Sequence, residues 1–329
     1  MKRVFIGASL LLMVFAMAGL RSGRAQQTRT VQQGANNGAP PPANPLKVAI
    51  LHWYKANLYT SFKVGKQPYG VAFDGSSIWT ANNEDGTVTK LRASDGENLG
   101  TFQVGGNPMG LAFDGANMWV SDNGGSTVTK LRASDGKNLG AFSVGHRPWG
   151  MAFDGENIWV ANFGDGTVTK LRASDGKSLG TFNTNGAIAA AFDGTYVWVS
   201  TWNTSVVRLK KDGSNAGNFQ VGSKPLGIAF DGASIWVANN EGGSVVKLDA
   251  KTGATLGTFN LCGCALYGVA FDGRDVWVTG SPLIFELRAA DGALVGTFHN
   301  PPGSSTSGVA FDGASIWAAA TFNNAVNKF

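Results

Sequence analysis

The sequence predicts an all-β fold, a seven-bladed β-propeller with four-stranded blades of about 40 residues. The segment Ala-Phe-Asp-Gly occurs seven times, at intervals of 40, 40, 39, 38, 41 and 40 residues, and a tryptophan stands six residues after each phenylalanine. A unit of this length with Asp-Gly turns is what one blade requires. The seven phenylalanines are Phe73, Phe113, Phe153, Phe192, Phe230, Phe271 and Phe311.

The unit at residues 106–145 contains four strand-like pieces. We expect strands at 110–113, 118–121, 127–132 and 139–144, separated by turns, two of which carry Asp-Gly. Alternation of apolar and polar residues is weak, because a blade is covered on both faces by its neighbours. Large side chains must therefore fill the space between blades.

The repeated tryptophans are predicted to supply that packing. Rings at one position of a propeller can also bind sugars or bases, but seven at the same repeat position favour packing. The Asp of each Asp-Gly is interpreted as a turn former, and its Gly provides the positive φ of the hairpin. The tryptophans are Trp79, Trp119, Trp159, Trp198, Trp236, Trp277 and Trp317.

The two ends of the repeat array predict how the ring closes. Residues 325–329 match the third strand of earlier units, so the last blade lacks a fourth strand. Residues 58–65 match a fourth strand and are expected to complete that blade. The propeller would then comprise residues 58–329 and have no open sheet edge.

Three segments precede the propeller. Residues 1–25 have the basic start, the apolar run and the small residues before a cleavage site that mark a signal peptide. The apolar run, about 17 residues, is at the lower limit for a membrane span, so an uncleaved anchor is the alternative. Residues 26–45 are polar and proline-rich and predict a disordered leader. Residues 46–57 predict a short helix, with an extra strand as the alternative.

Cleavage would leave a nearly neutral chain. The formal net charge is +5, but four of the basic residues lie in the signal segment, which leaves 23 basic and 22 acidic residues. Charge therefore indicates no nucleic-acid partner. We expect a periplasmic or secreted protein without a transmembrane anchor after cleavage, and a monomer is compatible with the sequence.

The unit Val-Gly-x-x-Pro-x-Gly-(Val/Leu/Met/Ile)-Ala-Phe-Asp-Gly-x-x-Ile-Trp-Val-Ala-Asn resembles the YVTN-type repeats of secreted bacterial propellers, over residues 60–329. The wider group that this pattern is similar to includes NHL-repeat scaffolds and the streptogramin (virginiamycin B) lyases. Those lyases are metal-dependent and use His and acidic residues at the channel mouth. The resemblance therefore implies a propeller, and either a scaffold or a metal-assisted lyase.

A ligand site is expected on the face that carries the loops after the second and fourth strands, because these loops vary between units while the other turns hardly change. Four residues before each repeat phenylalanine lies a position that should point to the channel mouth. A largely apolar ring there suits a peptide, an aromatic metabolite or a sugar, and the alternative is a simple plug. The positions are Tyr69, Met109, Trp149, Ile188, Leu226, Tyr267 and Ser307.

Nearby strand ends could add polar and stacking contacts, with turn capping as the alternative. Trp202 is included among the candidate ligand-binding residues for this reason. The other positions are Asn82, Asn83, Asp122, Asn123, Asn162, Phe163, Asn239 and Asn240.

Cys262 and Cys264 lie in the loop that leads into the sixth unit, and His299 lies in the equivalent loop of the next. Adjacent loops could bring two thiolates and an imidazole together around copper or zinc. The alternatives are a local disulfide, which an oxidising compartment favours, and incidental thiols. No other cofactor is expected.

Three functions stay open from the sequence. The first is a secreted, non-enzymatic scaffold that binds a protein or small ligand at the channel mouth, since no convincing acid, base and nucleophile set is evident. The second is a metal-assisted lyase or hydrolase that uses Cys262, Cys264 and His299 or mouth carboxylates. The third is a structural cell-surface repeat protein. The candidate carboxylates are Glu84, Asp122, Asp165 and Glu241.

Overall fold

The computed structural model describes residues 59–300 and 303–329 and shows an all-β chain of seven four-stranded antiparallel sheets. The predicted signal peptide, leader and helix at 46–57 lie outside the described residues. Within the described part, no helix is long and apolar enough to cross a membrane. The predicted fold class is confirmed.

Six blades take their strands consecutively from the chain. Blade 1 contains β2 (Pro68–Phe73), β3 (Ser77–Asn82), β4 (Thr87–Arg92) and β5 (Asn98–Gln103). Blade 2 contains β6 (Pro108–Phe113), β7 (Asn117–Asp122), β8 (Thr127–Arg132) and β9 (Asn138–Ser143). Blade 3 contains β10 (Pro148–Phe153), β11 (Asn157–Asn162), β12 (Thr167–Arg172) and β13 (Ser178–Asn183).

The second half continues the pattern. Blade 4 contains β14 (Ala187–Phe192), β15 (Val197–Thr201), β16 (Ser205–Leu209) and β17 (Asn215–Gln220). Blade 5 contains β18 (Pro225–Phe230), β19 (Ser234–Asn239), β20 (Ser244–Asp249) and β21 (Thr255–Asn260). Blade 6 contains β22 (Leu266–Phe271), β23 (Asp275–Gly280), β24 (Leu283–Arg288) and β25 (Leu294–His299). The expected strand positions are confirmed to within two residues.

Blade 7 joins both ends of the repeat array, as predicted. It contains β26 (Thr306–Phe311), β27 (Ile316–Ala320), a 3-10 turn (Thr321–Asn323), β28 (Ala325–Lys328) and, from the other end, β1 (Thr60–Lys63). β1 pairs antiparallel with β28, and Phe62 lies opposite Val326. Its ring stacks on Trp317 with centroids 5.2 Å apart, as Phe102 packs against Trp79 in blade 1 at 5.6 Å. The closing strand therefore repeats the side-chain packing of an ordinary fourth strand.

The core lies between the blades. Six of the repeated tryptophans are fully buried, and Trp277 is 8% exposed. Trp119 of blade 2 packs among Met151, Ile158 and Leu171 of blade 3. Each tryptophan thus fills the gap to the next blade, and the packing interpretation is confirmed.

The Asp of each Asp-Gly does more than turn the chain. In blade 1, Oδ1 of Asp74 accepts hydrogen bonds from the backbone N–H groups of Ser76 and Ser77, at 2.9 and 2.7 Å. Its Oδ2 accepts from the indole Nε1–H of Trp79 at 2.7 Å. The carboxylate therefore satisfies the polar atom of a buried indole, and Gly75 has the expected positive φ of 95°. The same Asp–Trp bond occurs in all seven blades.

From the sequence, the third-strand Lys and Arg of each blade are expected to pair with turn carboxylates on a solvated rim, or to form a docking stripe on one side of the disc. The lysines instead lie between blades. Lys90 is 8% exposed, and its ammonium lies 5.1 Å from the Trp79 ring centre. It donates a hydrogen bond to the backbone oxygen of Ala133 in the next blade, at 2.6 Å. The lysine is therefore a cation–π and hydrogen-bonding link between blades. The arginines do lie on the rim: Arg132 pairs with the turn carboxylate of Asp135 at 2.8 Å, and both are exposed.

Candidate functional site

The seven first strands surround the central channel, because each lies beside the first strands of the two neighbouring blades. Glycine permits this close approach. A Cβ on Gly110 would lie 2.2 Å from the backbone oxygen of Trp149 in the next blade. The residue before each such glycine therefore lies at the channel, at the same level in its blade.

Six of the seven ring positions predicted from the sequence line one cavity of about 140 Å³ at the channel mouth. Ile188 does not line it: this side chain is fully buried, and Ala189 borders the cavity instead. Ligand binding by these residues stays a prediction. The six positions, which we call the channel mouth, are Tyr69, Met109, Trp149, Leu226, Tyr267 and Ser307.

The phenol of Tyr69 is neutral at physiological pH. Burial raises its pKa above the ordinary value, and the neighbouring Tyr267 raises it further. The ring of Tyr69 meets Trp149 edge to face, with centroids 6.1 Å apart. The mouth therefore offers apolar ring surface together with the un-ionised hydroxyl of Tyr69.

The loop after the second strand holds a structural asparagine in three blades. Nδ2 of Asn83 donates to the backbone oxygen of Pro108 at 3.2 Å, across the boundary between blades 1 and 2. Asn123 and Asn240 donate in the same way to the first strands of blades 3 and 6, at 3.3 and 2.9 Å. In blade 7 the hydroxyl of Thr321 bonds to the Pro68 oxygen at 3.1 Å. This position links neighbouring blades.

Blades 3 and 4 place aromatic residues there. Phe163 occupies the position in blade 3 and Trp202 in blade 4, and the two rings meet edge to face with centroids 5.8 Å apart. Phe163 in turn meets Trp149 at 5.8 Å. A continuous aromatic run therefore extends from the channel mouth over blades 3 and 4. We call Tyr69, Trp149, Phe163 and Trp202 the aromatic run.

Two cations border the aromatic run. The guanidinium of Arg147 lies 5.2 Å from the Phe163 ring centre, and the ammonium of Lys224 lies 5.4 Å from that of Trp202. Lys224 also pairs with Glu241. Arg147 is exposed, so its charge is available at the edge of this surface.

The strand-end polar residues are turn caps, the alternative stated above. Oδ1 of Asn82 accepts from the Gly65 backbone N–H at 3.1 Å, and its amide donates to Thr89 at 2.8 Å. Oδ1 of Asp122 accepts from the backbone N–H groups of Gly106 and Asn107 at 3.1 and 3.0 Å. Asn82, Asn162 and Asn239 are fully buried, and Asp122 is 6% exposed. These groups hold loops rather than face the mouth.

The other candidate carboxylates are also occupied by their own loops. Oδ2 of Asp165 accepts from the backbone N–H of His146 at 2.6 Å. Glu84 lies 3.9 Å from the ammonium of Lys66, and Glu241 pairs with Lys224. Hydrogen bonds from Lys224 and Ser223 hold the pKa of Glu241 below its ordinary value. Contacts within and beside their own loops thus explain why these carboxylates are present.

Cys262 and Cys264 form a disulfide with one another. This is the local pairing that the sequence left open. His299 ends β25 and is exposed. Copper or zinc binding by Cys262, Cys264 and His299 stays a prediction, and it would require the disulfide to be reduced first.

Larger grooves exist on the opposite face, but equivalent residues of successive blades line them. One of about 620 Å³ lies between blades 2 and 3 and includes Asp114, Lys130 and Arg172. Another of about 540 Å³ lies between blades 1 and 2 and includes the equivalent Asp74, Lys90 and Arg132. Because the same residues recur, these grooves follow from blade packing. The channel mouth lies on the face whose loops vary between blades.

A search of family models and of curated protein sequences finds no match to this chain. Solved structures do match its fold. A catalytically inactive virginiamycin B lyase from Staphylococcus aureus with quinupristin is 17% identical, with a TM-score of 0.70, over 82% of this chain and 98% of that chain. A streptogramin B lyase is 18% identical, with a TM-score of 0.72, over 82% and 96%. Hydrazine synthase from Kuenenia stuttgartiensis is 19% identical, with a TM-score of 0.70, over the same shares.

These likenesses define the class of protein by its fold. The chain is a seven-bladed β-propeller of the kind found in the streptogramin B lyases. Identities below 20% show a shared architecture, and propellers of one architecture support unrelated activities.

Sequence reasoning missed the extent of the aromatic run. The sequence indicates Phe163 and Trp202 only as separate strand-end residues and gives no role to Arg147 or Lys224. The signal that could have found the run is the alignment of the seven units, because only blades 3 and 4 place an aromatic residue ten positions after the repeat phenylalanine, at the position of Asn83. The contact of Trp149 with Tyr69 across the channel could not be read from any alignment.

Proposed function

We propose that this chain is an exported, non-enzymatic propeller that binds a protein or a small ligand at the channel mouth. The observation that carries the proposal is the replacement of a structural asparagine by Phe163 and Trp202 in two adjacent blades. A position that elsewhere links blades has there become part of a solvent-accessible aromatic surface, which packing alone does not require.

The dimensions of the site limit what enters it. A cavity of about 140 Å³ is close to the roughly 150 Å³ apolar cavity that holds one benzene molecule. The ligand would therefore insert a single ring or one apolar side chain at the channel mouth. The remainder would lie over Phe163 and Trp202.

Charge favours an anionic group on that ligand. Arg147 and Lys224 border the aromatic run, whereas the Glu241 carboxylate beside them is already paired with Lys224. A carboxylate attached to the ring would be attracted by the exposed guanidinium of Arg147. An aromatic carboxylate, free or in a peptide, is the ligand class that fits best.

Binding rather than catalysis is proposed because the candidate carboxylates near the mouth cap loop backbone or pair with lysines. The likeness to lyases extends to the fold alone. Export is proposed from the signal-like residues 1–25, and the Cys262–Cys264 disulfide supports an oxidising compartment. Mass determination of the exported chain would test cleavage after Ala25.

The binding proposal is tested with defined probes. Ligand-observed NMR would be recorded on the purified chain with benzoate, benzyl alcohol and benzylamine, which share a ring and differ in charge. We expect benzoate to bind most tightly and benzylamine least. The variant Trp149→Ala should lose the benzoate signal, and the control Trp149→Phe, which keeps a ring, should retain most of it. Equal signals from Trp149→Ala and the unmodified chain would show that the mouth is not the site.

A further inference from the structure

Blade 6 breaks the repeat at a position that is cationic in every other blade. The side chain on the third strand that lies over the repeated tryptophan is glutamate in blade 6, Glu286, opposite Trp277 in the strand register. In the other blades the same position is filled by Lys90, Lys130, Lys170, Arg208, Lys247 and Lys328. In blades 1 and 7 this cation lies close to the repeated aspartate: Lys90 is 3.8 Å from Asp74, and Lys328 is 3.9 Å from Asp312. Blade 6 lacks that positive charge.

A second position in blade 6 is also more negative than its counterparts in the other blades. Asp275 stands three residues after the repeated Asp272, where the other blades carry neutral residues. In blade 2 the equivalent Asn117 donates its amide to Asp114 at 3.1 and 3.2 Å. A carboxylate side chain at Asp275 has no amide hydrogen to donate, so it repels the Asp272 carboxylate, although the backbone N–H of Asp275 still donates to Asp272 Oδ1 at 2.7 Å. The neutral residues are Ser77, Asn117, Asn157, Tyr196, Ser234 and Ser315.

The three acids come together. One carboxylate oxygen from each of Asp272, Asp275 and Glu286 lies within 4.8 Å of the others, and within the described residues this is the one such group of three potential ligands. Burial raises the pKa of Glu286 above its ordinary value, and the charges of Asp275 and Asp272 raise it further. Three negative charges are therefore gathered where the other blades are balanced.

Asp275 supplies a second, independent observation. It is 3% exposed, and its Oδ1 is a buried oxygen without a hydrogen-bond partner among the described residues. The nearest cation is Arg274, whose Nε lies 3.5 Å from the other oxygen, Oδ2, and whose side chain is 83% exposed. A buried carboxylate oxygen without a donor is costly unless a cation occupies the space beside it.

We propose that Asp272, Asp275 and Glu286 bind a calcium ion. Oxygen-only ligands select a hard cation, and Ca²⁺ accepts carboxylates at about 2.3–2.6 Å in flexible geometry. Two oxygens on one such ion lie at most about 5 Å apart, which the observed grouping satisfies. The ion takes the place of the lysine ammonium of the other blades, and waters complete its coordination.

The site is separate from the channel mouth and does not depend on the proposed ligand. Asp272 lies in the turn between β22 and β23, Asp275 begins β23, and Glu286 lies near the end of β24. These strand ends are opposite to the ends that carry the mouth loops. The ion would join the turn and two strands of blade 6, so its binding would stabilise the folded chain by mass action.

The test uses Tb³⁺ and Ca²⁺ on the full chain. Trp277 donates its indole N–H to Asp272 at 2.8 Å, so excitation of tryptophan should sensitise luminescence from Tb³⁺ bound at this site. We expect about one Tb³⁺ per chain, displaced by Ca²⁺ more readily than by Mg²⁺, and a higher melting temperature in Ca²⁺ than in EDTA.

The decisive variant is Glu286→Lys, because it places in blade 6 the residue that most other blades carry and should fold normally. It should lose the luminescence and the Ca²⁺-dependent melting shift. The matched control Glu241→Gln removes an exposed carboxylate on the opposite face of the propeller and should keep both. Absence of sensitised luminescence in the unmodified chain, or equal luminescence in Glu286→Lys, would overturn the proposal.

Discussion

Phe163 and Trp202 meet edge to face with ring centroids 5.8 Å apart and planes inclined by 77°. They occupy the position at which Asn83, Asn123 and Asn240 link their blades to the next by hydrogen bonds. Blades 3 and 4 thus keep the repeat backbone while their side chains form a surface. A repeat protein acquires a site where individual units depart from the common pattern.

The first prediction concerns a double variant that restores the repeat asparagine in blades 3 and 4. In the double variant Phe163→Asn and Trp202→Asn, each new amide should bond to the first strand of the next blade, as Asn123 does. We expect the melting temperature to stay within a few degrees of the unmodified chain, while benzoate binding falls at least tenfold. Calorimetric melting and NMR titration measure the two quantities. A variant that binds benzoate as before would remove Phe163 and Trp202 from the site.

The second prediction concerns the buried Asp–Trp bond. Asp154 is 2% exposed and accepts from the Trp159 Nε1–H at 2.7 Å and from two backbone N–H groups. Asp154→Ala leaves these donors without an acceptor and should lower the free energy of unfolding by about 3 kcal/mol. Urea unfolding measures this loss. Asp175→Ala, which removes an exposed turn carboxylate paired with Arg172, should have little effect.

The third prediction is acid lability from the same aspartates. Burial alone would raise the pKa of Asp74, Asp114 and Asp154, but hydrogen bonds from the indole and backbone N–H groups outweigh it and lower each pKa. A carboxyl with a lowered pKa in the folded state stabilises the fold above its unfolded pKa, about 3.9, and loses that contribution as pH falls below it. Melting temperature should therefore drop steeply below about pH 4. Asp154→Asn should show a shallower drop, and an identical pH profile would contradict this account.

The fourth prediction concerns Glu286, whose pKa is shifted in the opposite direction from that of the aspartates. The raised pKa of Glu286 means that the folded chain holds that proton more tightly than the unfolded chain, so ionisation at neutral pH destabilises the fold. In EDTA, Glu286→Gln should melt at a higher temperature than the unmodified chain at pH 7, and the difference should vanish near pH 3.5. A lower melting temperature for Glu286→Gln at pH 7 in EDTA would show that the three acids do not repel one another.

The fifth prediction tests ring closure. Phe62 is the closing strand's contact with Trp317, and Phe62→Ala should lower the free energy of unfolding by about 2 kcal/mol, since a half-buried phenylalanine contributes less than a fully buried one. The neighbouring Lys63→Ala alters an exposed residue of the same strand and serves as the control. If both variants unfold at the same urea concentration, the closing strand contributes little through Phe62.

Much of the fold was predictable because it depends on local chemistry. Asp-Gly turns, short apolar strands and a constant period indicate the same blade in every unit, and the match of residues 58–65 to a fourth strand identified the closure. The lysine positions show where prediction from a single repeat unit fails. Lys90 looked like a rim residue in its own unit, but its acceptor, the Ala133 oxygen, belongs to the next blade.

The candidate site was predicted in part for a related reason. The spacing before each repeat phenylalanine placed six side chains at the channel mouth, but it placed Ile188 there as well. Blade 4 carries Ala189 where the other blades carry glycine, and Ala189 borders the cavity while Ile188 is buried. The replacement of glycine by Ala189 adds one methyl group where two backbones approach closely. The repeat pattern does not show which side chain then borders the cavity.

By itself the sequence determined the number of blades, their strands, their turns and the strand that closes the ring, because each follows from a repeat of about 40 residues and from local turn chemistry. Only the tertiary structure decided which side chains meet between units. Tyr69 and Trp149 are 80 residues apart in the chain, yet their rings lie 6.1 Å apart across the channel. Contacts between distant residues depend on the closed ring, which fixes distances that no single unit contains.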